Sequence, residues 1–294
     1  MKNKKNILSI LSVFILSFIF MTDSVFAQEP IPKDTLSTQT VIINEYDALK
    51  KLESQDELSL KEKGLSTLEI QNVKNSISLM AENVKEKSKL PADELKLMGY
   101  NDKQINIIKN FKGTEAELRA ASGEVIYTIS INGYVHNSAK TSANLQVRWQ
   151  WLSTPIQQFT DAIAVAWSKG FNSNGARTYA NLYYKDNSNG TTKIIRTENA
   201  TFTAGAGFQI NFPFTDVANA GPYAKCLEGY AYTEIYNDSD IRTFEVITEY
   251  GHSYAFIVPS IAIKGAPSIT FGIGTNTMGQ AKREVRDGVV LPQN

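Results

Sequence analysis

The chain has 294 residues, 42% of them hydrophobic, and its thirty basic and thirty acidic residues cancel. This balance argues against binding to nucleic acid or to an anionic membrane surface, because both depend on an excess of basic side chains. With Cys226 as its single cysteine, the chain excludes a disulfide framework of its own, so an ordinary hydrophobic core has to stabilise the fold.

Residues 1–27 have the three parts of a secretory signal peptide. A lysine-rich start precedes an apolar run from Ile7 to Phe20, and a small-x-small exit ends at Ala27. The apolar run is shorter than a transmembrane helix, and no later segment approaches about 20 apolar residues. We therefore expect cleavage after Ala27, a secreted extracellular protein, and no stable membrane anchor.

Residues 28–42 are expected to form a flexible arm, because they contain two prolines and little that a core would bury. Between residues 43 and 121, Lys and Glu are abundant and apolar residues recur at helical spacing, which predicts a small all-α helical module. The module is either a surface for packing and contact or a removable pro-region, since it lies between the signal peptide and the rest of the chain.

The helical module contains a two-copy helix-turn-helix repeat. The stretch that starts at Leu60 matches the stretch that starts at Leu95, an offset of 95 − 60 = 35 residues. Each copy has a glycine, which suits the left-handed position after a helix, and then a capping residue with Glu or Gln three positions later. These devices predict two similar corners, with the glycines and capping residues at Gly64, Ser66, Gly99 and Asn101.

Residues 123–290 are rich in Asn, Thr, Gly and Tyr, and their apolar residues alternate with a period of two. Many short strands without helix-length insertions predict an antiparallel β-sandwich, with a barrel-like sheet as the alternative. The whole chain is thus predicted to be an α+β protein in two parts. Its central strand has four large residues on one face, which we expect to be buried: Leu145, Val147, Trp149 and Trp151.

Catalytic motifs are not evident in the sequence. Nucleophilic catalysis needs a base near a serine or cysteine, and the two histidines, His136 and His252, lie in no catalytic motif. If there is a catalytic site, His252 with Asp161 or Glu249 is the first candidate, so an extracellular hydrolase is one alternative function and the question of enzymatic activity stays open. The spacing of histidine, cysteine and acidic residues predicts no metal site and no cofactor.

Tyrosines give the remaining signal. Tyr183 and Tyr184 are adjacent on a predicted strand and face opposite sides, whereas Tyr230, Tyr232 and Tyr236 share one face. A row of exposed tyrosines can stack on sugar rings or on a protein partner, although sandwich cores use the same residues. These five residues are the candidate binding site of a secreted, non-catalytic binding or surface-interaction protein, whose partner is an extracellular protein or a carbohydrate.

The run from Thr191 to Thr215 supports a second alternative function. It is rich in threonine, and apolar residues alternate along it at Phe208, Ile210, Phe212 and Phe214. Strands of about 9–11 residues that insert into a bilayer alternate in this way. A β-pore-forming toxin is therefore also consistent with the sequence.

Overall fold

The computed structural model describes residues 35–62, 65–254, 261–264, 268–271, 275–286 and 289–291 of the chain. The predicted signal peptide and Gly64 lie outside the described residues.

Two antiparallel sheets pack face to face around the main hydrophobic core, so the fold is a sandwich rather than a barrel-like sheet. The first sheet consists of β1 (Thr35–Asn44), β2 (Glu124–Asn137), β3 (Lys140–Ser153), β5 (Asn172–Ser173), β6 (Tyr179–Asp186), β7 (Thr192–Thr197) and β10 (Ala224–Asn237). The strands of this sheet lie in the order β1-β2-β3-β10-β6-β7, and β5 also pairs with β10. A 3-10 turn at Gly175–Arg177 connects β5 to β6.

The second sheet consists of β4 (Thr160–Trp167), β8 (Ala200–Thr203), β9 (Gly207–Pro213), β11 (Thr243–Ser253), β14 (Thr275–Arg286) and β15 (Val289–Leu291). The strands of this sheet lie in the order β15-β14-β11-β4-β9-β8. A separate hairpin is formed by β12 (Ile261–Lys264) and β13 (Ser268–Phe271). This hairpin contributes Ile269 to a small apolar cluster with the alanines of β4.

The centre of the core is β3, whose alternating apolar residues are all buried, as the sequence pattern predicts. The ring of Trp149 on β3 stacks on Phe212 of the second sheet, with 4.9 Å between the ring centroids. Gly229 on β10 lies directly opposite Trp149 in the ladder. A Cβ atom there would lie 2.4 Å from the tryptophan ring, so only glycine fits beneath it.

The flexible arm expected at residues 28–42 needs correction, because β1 begins at Thr35 and pairs with β2 up to Asn44. The prolines that suggested an arm, Pro30 and Pro32, precede this strand. The strand itself is rich in β-branched residues, which suit a pleated edge strand. It was missed because an edge strand needs few apolar residues to form a backbone ladder.

Seven α-helices in the described residues connect β1 to β2, and they surround a second hydrophobic core. Their bounds are α1 (Glu45–Glu53), α2 (Glu57–Glu62), α3 (Thr67–Lys74), α4 (Ser76–Lys87), α5 (Ala92–Leu97), α6 (Asp102–Lys109) and α7 (Glu115–Ala121). Tyr100 donates a hydrogen bond to the carbonyl of Pro155 at 3.1 Å, and Gln104 donates to that of Thr154 at 2.8 Å. The helices and the sandwich therefore share polar contacts at the end of β3.

The same local contacts occur twice among the helices, 35 residues apart. Ser66 and Asn101 each begin a helix with a capping box, and Gly99 has a φ of +97°. The ammonium group of Lys74 donates to the carbonyls of residues 53 and 55, and that of Lys109 donates to those of residues 88 and 90. Each lysine thus satisfies carbonyls near the end of an earlier helix, where a cation is favourable.

Candidate functional site

The structure brings together two of the three catalytic candidates from the sequence. His252 on β11 lies opposite Asp161 on β4, and its Nδ1 is 2.6 Å from the Asp161 Oδ1. Glu249 is buried on the opposite face of β11, the face that carries Ile247, and does not join them. The alternation of side chains along a strand separates it from His252.

Glu45 is the third member of this site, and sequence reasoning missed it. Its carboxylate accepts hydrogen bonds from the backbone N–H groups of Gly123 (3.0 Å), Ile156 (2.8 Å) and Gln157 (3.1 Å). Its Oε1 lies 3.6 Å from the His252 Nε2. In the sequence it looks like an ordinary acidic residue in a first helical turn, since its partners come from distant segments.

His252, Asp161 and Glu45 form a buried charged triad. Burial alone would lower the pKa of His252, but the adjacent carboxylates of Asp161 and Glu45 outweigh it and raise this pKa to about 10. The imidazole is therefore a cation at neutral pH, held between two acidic groups. Tyr250 donates a hydrogen bond to Asp161, and Trp151 donates one to the Tyr250 hydroxyl at 2.9 Å.

The triad is closed to solvent. His252 is 2% exposed, while Asp161 and Glu45 are fully buried. A general base must reach its substrate and must be unprotonated at the working pH, and this histidine meets neither condition. The arrangement joins the start of α1 to two strands of the second sheet.

The other histidine and the cysteine also have ordinary surroundings. The Nδ1 of His136, near the end of β2, lies 2.9 Å from the Asp240 Oδ1 in a partly exposed pair. Burial raises the pKa of the Cys226 thiol well above its usual value. Within the residues that the structure describes, no group of three or more histidine, cysteine or acidic side chains is placed to hold a metal ion.

The first sheet turns a set of tyrosines outward, away from the core. Four of the five candidate tyrosines lie on this face, but Tyr184 does not: it is 1% exposed and donates a hydrogen bond to the Pro213 carbonyl. Tyr184 is therefore removed from the candidate binding residues. One tyrosine was missed, Tyr179, which shares a face with Tyr183 at even spacing on β6. We call the outward set the tyrosine face: Tyr179, Tyr183, Tyr230, Tyr232 and Tyr236.

Strand register sets the order of side chains across the tyrosine face. Tyr232 on β10 lies between Gln146 on β3 and Tyr179 on β6, and the two tyrosine rings are 5.5 Å apart. Tyr230, one step along β10, lies between Arg148 and Asn181 and is only 4% exposed. Tyr230 therefore forms the floor of the face, and the other four tyrosines are partly exposed. The guanidinium of Arg196 lies over the Tyr179 ring, 3.6 Å from its centroid.

Several polar groups on this face have no hydrogen-bond partner in the part of the chain that the structure describes. For the described part of the chain, no acceptor lies within hydrogen-bond distance of the half-buried Arg148 guanidinium. The same holds, among the described residues, for the Gln146 amide and for the hydroxyls of Tyr179 and Tyr232. Donors and acceptors that converge beside aromatic rings are typical of small-molecule and sugar sites.

The tyrosine face continues into a groove at the far end of β10. Its lining residues are Lys140, Ser173, Asn174, Gly175, Glu234 and Tyr236. Within it, Glu234 accepts a hydrogen bond from Arg177 at 3.0 Å, and the Lys140 ammonium lies 5.7 Å from the Tyr236 ring centroid. From Tyr230 to Tyr236 the strand spans roughly 20 Å, enough for an extended ligand.

The run that suggested membrane insertion supplies core residues of the sandwich. Its four alternating apolar side chains are at most 1% exposed: Phe208, Ile210, Phe212 and Phe214. Half-buried strands of a sandwich account for the alternation, as they do elsewhere in this sheet. No helix in the described part of the chain is long and apolar enough to cross a membrane.

Comparisons with known proteins add little. No family model and no curated protein matches the chain. Among solved structures, the T6 backbone pilin of serotype M6 Streptococcus pyogenes matches at 11% identity and a TM-score of 0.31, over 51% of this chain and 35% of the pilin. The collagen-binding subdomain ACE19 of the Enterococcus faecalis surface protein ACE matches at 11% identity and 0.26, over 51% and 89%. A pore forming protein matches at 9% identity and 0.31, over 57% and 89%.

Such low TM-scores support no inference about function, and the chain spans about a third of the pilin's length. The residues themselves define the class: an antiparallel β-sandwich with attached helices, a closed charged triad and an outward aromatic face. Any function has to be argued from those features.

Proposed function

We propose that the chain is an exported, non-catalytic binding protein that holds an extracellular carbohydrate on the tyrosine face. The observation that carries this proposal is the set of outward tyrosines beside polar groups that have no partner among the described residues. Sugar rings present apolar C–H faces and a rim of hydroxyl groups. Aromatic rings suit the former, and amide, guanidinium and phenol groups suit the latter.

A carbohydrate fits the face better than a protein does. Protein-binding surfaces concentrate their affinity in a dry centre with well-packed anchors. Here the cross-strand neighbours of Tyr230 and Tyr232 are polar on β3, namely Arg148 and Gln146. The centre of the face thus offers hydrogen bonds beside rings, and a protein partner becomes an outcome of the test.

Export in this proposal rests on the predicted signal peptide of residues 1–27. The alternative of a hydrolase at His252 loses its support, because that histidine is buried in the core and protonated at neutral pH. The alternative of a pore loses the alternation that suggested it, because those side chains fill the sandwich.

Affinity electrophoresis tests the proposal. The purified chain is run through native gels that contain neutral or acidic polysaccharides, beside Tyr179→Ala and Tyr232→Ala. At least one polysaccharide should retard the parent, and each variant should weaken that binding about tenfold, the effect of about 1.4 kcal/mol. Tyr223→Ala, at an exposed tyrosine on the turn before β10, is the matched control and should bind like the parent.

Melting temperatures of all variants should stay near that of the parent, which separates lost binding from lost folding. Retardation by no polysaccharide would overturn the proposal, as would an equal loss in Tyr223→Ala. Binding to immobilised collagen without any binding to polysaccharides would replace the carbohydrate with a protein partner.

A further inference from the structure

We infer that Arg148 makes the tyrosine face selective for acidic carbohydrates, by binding a carboxylate group of the ligand with its guanidinium. This inference rests on the proposed function and names the chemical class of its ligand. It concerns a single residue near the middle of the first sheet, on β3.

Arg148 differs from the other arginines whose side chains the structure describes. Four of them each have a carboxylate oxygen within 3.1 Å: Arg119, Arg177, Arg196 and Arg242. Arg148 has no such partner among the described residues, although it is more buried than these four. A partly desolvated charge without a counter-ion is costly, and a ligand anion would relieve that cost.

The neighbours of Arg148 leave its guanidinium available to a ligand. Its cross-strand partners are Thr128 on β2 and Tyr230 on β10, both uncharged. The acidic residue of β10 on this face nearest in register, Glu228, pairs instead with Gln150, and no ion pair joins it to Arg148. Glu228 and Glu234 lie on the same face of β10, but neither contacts the guanidinium, which can therefore donate two parallel hydrogen bonds to a planar carboxylate of a ligand.

Spacing connects this anion position to the aromatic part of the face. Gln146 and Tyr232 lie one side-chain step from Arg148 and Tyr230, which is roughly 7 Å along a strand. A sugar ring stacked on Tyr232 would then place a carboxylate of the same ring or the next one beside Arg148. A polymer of uronic acids carries such a group on every ring.

The test compares polygalacturonate with the same polymer after its carboxyl groups have been reduced to alcohols. Affinity electrophoresis is run with these two polymers, with alginate as a second polymer of uronic acids, and with dextran sulfate as a polymer whose anions are sulfates. The parent should bind at least one of the acidic polymers tenfold or more tightly than the reduced polymer, about 1.4 kcal/mol. Arg148→Gln should remove this preference and still bind the reduced polymer, and Arg148→Lys should keep only part of it, since a lysine cannot bind a carboxylate through two parallel bonds.

Arg242→Gln is the control, because it removes one positive charge from an exposed turn outside the tyrosine face. It should keep the full preference, which shows that net charge alone is not responsible. Equal binding of acidic and reduced polymers by the parent would overturn the inference and leave the proposed function standing. If the parent binds none of the polysaccharides in this experiment or in the one that tests the proposed function, both the inference and the proposed function are overturned. Equal, Arg148-dependent binding to dextran sulfate would overturn the assignment to a carboxylate.

Discussion

The buried triad and the tyrosine face make opposite use of their side chains. The triad has the residue types of an active site, yet all three residues are enclosed, and His252 lies between the carboxylates of Asp161 and Glu45. The tyrosine face has commonplace residue types, yet Arg148 and Gln146 have no partner among the described residues. Under the proposed function, hydrogen-bonding groups left without a partner at an accessible surface mark the binding site, and residue type does not.

Both regions are built by strand register. Pairing of β4 with β11 places Asp161 against His252, and pairing of β3 with β10 places Arg148 against Tyr230. The difference lies in what covers each ladder. Glu45 and the backbone around Ile156 close the first, whereas the second faces outward.

The largest effect should follow from breaking the triad. His252→Ala leaves two buried carboxylates without their cation, so unfolding free energy should fall by about 3–5 kcal/mol in denaturant melts. The matched control is His136→Ala, which removes a partly exposed ion pair with Asp240 and should cost less than about 1 kcal/mol. Similar losses in the two variants would show that the triad is not a special contact.

A comparable loss of stability should follow from creating a cavity in the core beneath the tyrosine face. Trp149 is 2% exposed and stacks on Phe212, so Trp149→Ala should cost about 3–5 kcal/mol. Gln150→Thr, at the next residue on the exposed side of β3, should change stability by no more than about 0.5 kcal/mol. If Trp149→Ala unfolds at the same denaturant concentration as the parent, the core assignment of β3 fails.

The pH dependence of stability should report on the triad. The pKa of His252 is raised to about 10 in the fold from about 6.5 in an unfolded chain. The stabilisation that its protonation gives the fold is therefore complete below about pH 6.5 and is lost as pH rises toward 10. Burial and the nearby Lys87 lower the pKa of Lys225 to about 8, so this group has the opposite effect: the fold gains stability above about pH 8.

The difference in stability between the parent and His252→Ala isolates the histidine, because Lys225 is present in both. This difference should shrink by a few kcal/mol between about pH 6.5 and 10. Denaturant melts at four pH values across this window measure it. A constant difference would mean that His252 does not bind its proton more tightly in the fold.

The sequence predicts features that depend on the alternation of side chains along one strand. It does not predict features that depend on how separate strands and helices pack together. The pattern of β3 predicted a buried face with Trp149, and the sandwich follows from such patterns. Adjacent tyrosines had to face opposite sides, but only the packed structure decides that Tyr184 is the inward one.

Long-range contacts explain the remaining errors. Glu45 joins His252 across more than 200 residues of chain, and the backbone groups it binds come from two further segments. No local spacing encodes such a meeting. That Arg148 has no acidic partner among the described residues is likewise a property of the whole surface, because it depends on where every acidic side chain lies in the fold.

The smallest effect on stability should come from the tyrosine face itself. Gln146 is half-buried beside Tyr232 and has no hydrogen-bond partner in the described part of the chain, so Gln146→Thr should change unfolding free energy by no more than about 0.5 kcal/mol. The same variant should weaken binding to whichever polysaccharide retards the parent, because the shorter side chain cannot supply the amide. Denaturant melts and affinity electrophoresis of one preparation measure both quantities. A loss of stability above about 1 kcal/mol would mean that the outer face stabilises the sheet, and its residues would then resemble those of the triad rather than differ from them.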